Sequence, residues 1–192
     1  DIKMEKKYAA KIVAWMNSKK LLDAELYEIY EYGFELLISS TICVLGVVLI
    51  GFVSKKLMFS IGYLLGFIPI RIFVGGYHAK THNRCYQTFW GVFFICSFLP
   101  YVIKRDYMEC VAIYVILFFL TFTFAPLQAD NKILNVYEIK KYRKYALTIL
   151  IMSAVFDCVF VRKEHHIIEG MLYGKIGVIF LMCFQIIICW PA

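Results

Sequence analysis

A short polar island lies between two strongly apolar runs, and it holds the residue types of thiol chemistry. It reads Arg71-Ile72-Phe73-Val74-Gly75-Gly76-Tyr77-His78-Ala79-Lys80-Thr81-His82-Asn83-Arg84-Cys85. A cysteine attacks a carbonyl as its thiolate, and a free thiol is only a few per cent ionised at neutral pH. An imidazole can take that proton, and Lys80 and Arg84 stabilise negative charge nearby. On a continuous helix His82 lies one turn from Cys85. His78, seven residues before Cys85, would lie about 10 Å away along the axis. It reaches the sulfur only if the backbone breaks, and Gly75-Gly76 with the poor helix formers Thr81, His82 and Asn83 offers a break. Spacing alone leaves the two histidines even.

Other uses of these residues are weaker. His78, His82 and Cys85 supply three metal ligands where structural zinc wants four, and His165 and His166 fall on the opposite predicted side of the membrane. No CxxC or HExxH occurs, so no metal and no cofactor is expected. Of the seven cysteines, Cys43, Cys96, Cys158, Cys183 and Cys189 sit in apolar runs as small core hydrophobes, and Cys110 sits at a span edge. Only Cys85 stands in a polar, basic setting.

The elements that must hold the island are membrane helices. The 192 residues are 61% hydrophobic and only 18% charged, too apolar for a soluble domain of this size. Hydropathy predicts an all-α polytopic membrane protein with about six spans, near 34–53, 57–74, 88–103, 110–127, 145–161 and 171–190. The third is short enough to be tilted or re-entrant, and a four-span variant with the second and third partly interfacial fits the same residues. Residues 1–33 carry Ile12, Trp15, Met16, Leu22, Leu26 and Ile29 at helical spacing, a pattern for amphipathic helices on the membrane face. A dimer contact is the other use of that pattern. No cleavable signal peptide is evident. One membrane domain over 1–192, with a bundle from 34 onward and the reactive segment at 71–87, is the simplest organisation.

Basic residues set the orientation. They gather in 1–33, around the island, and at Lys132, Lys140, Lys141, Arg143 and Lys144, with fewer in the alternate loops. The positive-inside rule therefore puts the N-terminus and the island on the cytoplasmic side. The net charge of +7 is accounted for by span flanks facing anionic lipid, and no nucleic-acid motif accompanies it. A second polar segment runs from Ala125-Pro126 to Lys144 on the same predicted face. Its basic run reads as a topology anchor or as a docking site for an acidic segment. Asp157 and Gln185 lie within predicted spans, where polar side chains seek partners or line a path.

Arg71, Gly75-Gly76-Tyr77-His78-Ala79 and Cys85 between apolar spans resemble the accessory gene regulator B family of bacterial membrane endopeptidases. Ala125-Pro126 with Asp130-Asn131-Lys132 resembles the family too, although Ile133 stands where members usually carry proline. The resemblance extends over the whole chain. It implies that Cys85 is the nucleophile and His78 the base, with Arg71, Gly75 and Gly76 in supporting or oxyanion roles. It implies a short propeptide substrate with an amphipathic leader and an acidic C-terminal tail, and a homodimer. The tail would meet Arg71, Lys132 or the Lys140, Lys141, Arg143 and Lys144 cluster. Asn83, Asp130 and Asn131 are candidates to orient His78. Two different readings compete: a small transporter or exporter lined by Asp157, Gln185 and the histidines, and a non-catalytic membrane scaffold.

Overall fold

A computed structural model describes residues 4–22, 26–75, 82–102, 106–127, 135–160 and 165–189. The described residues form seven helices: α1 (Met4–Ser18), α2 (Tyr27–Val53), α3 (Leu57–Val74), α4 (His82–Val102), α5 (Tyr107–Phe124), α6 (Val136–Phe160) and α7 (His166–Cys189). The described residues contain no strand, and the protein is an all-α polytopic membrane protein. Two compact units divide it, Asp1–Gly46 and Val47–Ala192. In the first, α1 buries Glu5, Ala9 and Val13, spaced one turn apart, and leaves Met4, Tyr8 and Trp15 exposed.

In the second unit, α3 and α7 form the tightest pair, and glycine explains it. A Cβ at Gly62 or Gly66 of α3 would run into the Ile167 or Met171 carbonyl of α7. One at Gly170 or Gly174 of α7 would run into the Phe59 or Tyr63 carbonyl of α3. Both helices thus present small residues four apart, which lets backbones touch in lipid where apolar burial gives little drive. Above this seam an aromatic layer builds the core: Tyr63 meets Phe93 edge-on at 5.0 Å and Phe67 meets Phe89 at 5.1 Å, joining α4 to α3. We expect Gly66→Val to force the seam apart at a cost of about 1–3 kcal/mol, measured as a lowered melting temperature in detergent. An unchanged melting temperature would show that the seam carries no such strain.

The contacts also fix direction. Gly62 meets Ile167 and Gly66 meets Met171, so α3 and α7 run parallel. The chain must then cross between them an odd number of times, which makes α6 a crossing helix along with α4 and α5. Composition alone passes only five helices as spans, α2 to α5 and α7, because α6 mixes a basic first half with an apolar second half. Its 25 residues extend about 37 Å, enough for a hydrocarbon core of about 30 Å. Six helices, α2 to α7, therefore fill the expected six spans, with several starts moved: the first helix begins at Tyr27 rather than near Phe34 and the last at His166 rather than near Met171. The third span begins at His82 rather than near Thr88, so its full 21 residues need no re-entrant turn. The fifth begins at Val136, so the basic run lies on a helix and not in a loop.

Asp157 of α6 is almost fully buried and pairs with the equally buried Lys175 of α7 at 2.7 Å. Tyr114 of α5 donates its hydroxyl to the same carboxylate oxygen at 2.9 Å. Lys175 also donates to the Met171 carbonyl at 3.2 Å and lies 5.7 Å from the Tyr114 ring centre. One ion pair thereby clasps three helices.

Candidate active site

The reactive end of the bundle is built where α3 stops. Gly75 ends the helix at φ +73° and ψ −149°, its N–H still bonded to the Arg71 carbonyl at 3.1 Å. That backbone conformation favours glycine. The surroundings demand it as well, since a Cβ would strike the Leu127 carbonyl. Leu127 donates its N–H to the Val74 carbonyl at 2.8 Å and forms an isolated parallel bridge with Gly75. The two polar segments singled out in the sequence therefore meet, backbone against backbone.

Arg71, one turn back on α3, turns its guanidinium onto this corner and donates to the Gly75 carbonyl. The same guanidinium lies within electrostatic range of the Cys85 thiol. Cys85 sits in the first turn of α4, half-buried. Cys43 and Cys96 are buried, as their apolar runs led one to expect, and so is Cys110 at its span edge. Cys158 and Cys183, expected in the core, are instead half-buried like Cys85, since helices facing lipid bury only one side. The segment joining α3 to α4 carries Gly76 and His78, which lie outside the described residues, as do Lys132, Asp130 and Asn131. No helix continues through Gly75 and the next begins at His82. His82 and Cys85 therefore share the first turn of α4, the arrangement that favours His82 on spacing, and His78 lies outside the described residues.

The second segment is pinned from α6. Arg143 donates through Nε to the Ala125 carbonyl at 2.8 Å, holding the end of α5 where it leads into Leu127. The Phe73 ring of α3 packs on Tyr142 and Tyr145, at 6.3 and 5.5 Å. Arg143 is therefore engaged in the fold, whereas Lys140, Lys141 and Lys144 stand exposed along the same turns of α6. Those three lysines give this end of the bundle an accessible positive face.

Other polar residues lie elsewhere. His165 precedes α7 and His166 begins it, beside the first turns of α3 and at the opposite end of that helix from Gly75. His166 faces Glu169 at 3.5 Å. The described residues contain no His, Cys, Asp and Glu group fit to hold a metal ion. Two features escaped the sequence reading. The paired glycines of α3 and α7 were visible as small residues four apart, and Lys175 was visible as a lone charge within a span, a signal that it needs an acid.

Together these features define a multi-pass helical membrane protein with a half-buried thiol beside a guanidinium at one end of its bundle. A family profile described as Accessory gene regulator B matches residues 9–189, and the chain belongs to that family. Membership supports a role in accessory gene regulator, or quorum-sensing, peptide processing. Two relatives from Clostridium perfringens carry no fuller label than AgrB-like. AgrB-like protein 2 of strain 13 / Type A is 29% identical over 70% of this chain and 67% of its own length. An AgrB-like protein of strain SM101 / Type A is 27% identical over 67% of this chain and 64% of its own length. The chain thus matches about two thirds of each relative. No solved structure matches.

Proposed function

We propose that the chain is a membrane cysteine endopeptidase that removes the C-terminal tail of a quorum-sensing propeptide and cyclises what remains. The observation that carries this reading is the half-buried Cys85 thiol within electrostatic range of Arg71, at the corner where Gly75 meets Leu127. His78 takes the Cys85 proton, and the sulfur attacks the scissile carbonyl. The carbonyl carbon gains a bond to sulfur and loses its bond to the tail's nitrogen, which leaves with the proton from His78. A thiol or hydroxyl within the propeptide then attacks the thioester, releasing Cys85 and closing a thiolactone or lactone. Exchange of one thioester for another nearly conserves bond energy, so closure needs no ATP when water is kept out. Arg71 and backbone amides near Gly76 or Cys85 are the candidates to stabilise the oxyanion.

Recognition follows from charge. The amphipathic leader lies on the cytoplasmic membrane face, and the acidic tail meets the exposed Lys140, Lys141 and Lys144 face, with Lys132 added from the neighbouring segment. The enzyme works as a homodimer. The transport alternative loses its best argument in Asp157, whose carboxylate is joined to Lys175 and Tyr114 and so clasps helices together.

The test is to co-express the chain with a candidate propeptide, short and acidic-tailed, and to analyse the peptides by mass spectrometry. Tail release with loss of one water equivalent in the cyclic product is expected. Reversing Lys140, Lys141 and Lys144 to glutamate should raise the apparent KM about tenfold, less so in high salt. Uncleaved propeptide beside a well-folded chain would contradict the peptidase reading. Cleavage with unchanged KM in the reversed variant would contradict the docking face alone.

A further inference from the structure

The end of the bundle opposite Cys85 holds a cavity of about 750 Å³, within the range of pockets that take small molecules. It lies where α2 ends, α3 and α7 begin and α4 ends. Its polar side is formed by Lys55 and Lys56, with His166 and Glu169 across from them. Lys56 is half-buried and held in place: its ammonium donates to the Ser97 carbonyl at 2.7 Å and lies 4.6 Å from the Tyr101 ring centre and 5.2 Å from that of Phe98. One donation leaves two of its three N–H groups for another acceptor. Lys55 is exposed beside it. The backbone N–H groups of the first turn of α3 also open here, with no side-chain cap on them, and add to the positive field.

A second cavity, of about 490 Å³, shares Ser54, Lys56, Ser97 and Tyr101 with the first. It continues as an apolar groove along Ile50, Phe94, Phe98 and Val102. Phe94, Phe98 and Val102 are at least half exposed, so the groove opens toward hydrocarbon. A positively charged chamber that runs into a lipid-facing apolar groove matches a molecule with an anionic head and a hydrocarbon chain.

We infer that this end of the bundle binds an anionic phospholipid, its headgroup between Lys55 and Lys56 and one acyl chain along Ile50, Phe94, Phe98 and Val102. The phosphate accepts from the two lysines. Hydroxyls of a glycerol headgroup donate to Glu169, whose carboxylate would repel a bare phosphate. The groove distinguishes this ligand from an acidic peptide, which would leave the apolar residues unfilled. The site touches α2, α3, α4 and α7 together, so a bound lipid ties their ends across the membrane from the reactive corner.

The test uses the full chain, delipidated in mild detergent, with lipid binding counted by native mass spectrometry and followed by thermal melting. Phosphatidylglycerol should bind saturably and raise the melting temperature. Lys55→Gln, which leaves the Lys56 contacts intact, should weaken that binding about fivefold. Phosphatidylcholine, glycerol phosphate without acyl chains and a soluble acidic peptide should each bind more weakly than phosphatidylglycerol. Equal binding of phosphatidylcholine, equal protection by glycerol phosphate or by the acidic peptide, or unchanged affinity in Lys55→Gln would overturn the assignment.

Discussion

Cys85→Ala is expected to abolish tail cleavage, a loss of about 10⁴-fold or more, while the protein still folds. Among the described residues Cys43, Cys96 and Cys110 are buried as packing groups, and Cys158 and Cys183 are half-buried like Cys85; the alanine variants of all five should keep activity. Because Cys85 is half-buried in the first turn of α4, its loss removes little packing, and the melting temperature should move by a few degrees at most. Cys85→Ser is expected to fail nearly as completely, since a hydroxyl ionises far less readily than a thiol at neutral pH. His78→Gln should cost about 10²–10⁴-fold, the usual contribution of a general base. Transport or scaffolding makes the opposite demand, namely that Cys85→Ala behaves as wild type in cells. A signalling assay with tail release measured in parallel decides between them.

The second large effect is expected on stability. Asp157→Ala strands the buried Lys175 without its partner, and breaking a buried pair from one side typically costs about 3–5 kcal/mol. The Tyr114 hydroxyl loses its acceptor in the same change. Replacing both charges, as Asp157→Leu with Lys175→Met, should restore most of that loss, because desolvating two charges offsets much of their attraction. Melting in detergent measures both variants. A single variant as stable as wild type would show that the pair is not the clasp between α6 and α7. Cleavage by the double variant is expected to survive, since the pair lies away from the Arg71 corner.

The island and the membrane character were legible because both rest on local signals: residue type, spacing and runs of apolar side chains. Arg71, Gly75 and Cys85 do gather at one end of the bundle, and residues Ala125 to Leu127 join them. What the sequence hid was register. The basic run Lys140 to Lys144 reads as loop by composition, yet its residues continue into an apolar stretch with no breaker between, so α6 begins at Val136. Asp157 was visible as a charge that needs a partner, but Lys175 lies on another helix, and only the facing of α6 on α7 pairs them. Gly62, Gly66, Gly170 and Gly174 form two separate patterns in sequence and one seam in space. The Val74–Leu127 hydrogen bond likewise joins segments that periodicity treats as unrelated. The His78 assignment comes from family resemblance, and its residue lies outside the described segments.

Covalent capture at the sulfur tests the central claim most directly. The purified chain, mixed with its propeptide in which the internal cyclising cysteine or serine is replaced by alanine, should stall as a thioester. Intact-protein mass spectrometry should then show a mass increase equal to the tailless propeptide less water, with the fragment ions placing it on Cys85. Hydroxylamine should release it. Tail cleavage without an adduct on Cys85, or an adduct on another residue, would contradict nucleophilic catalysis by this thiol.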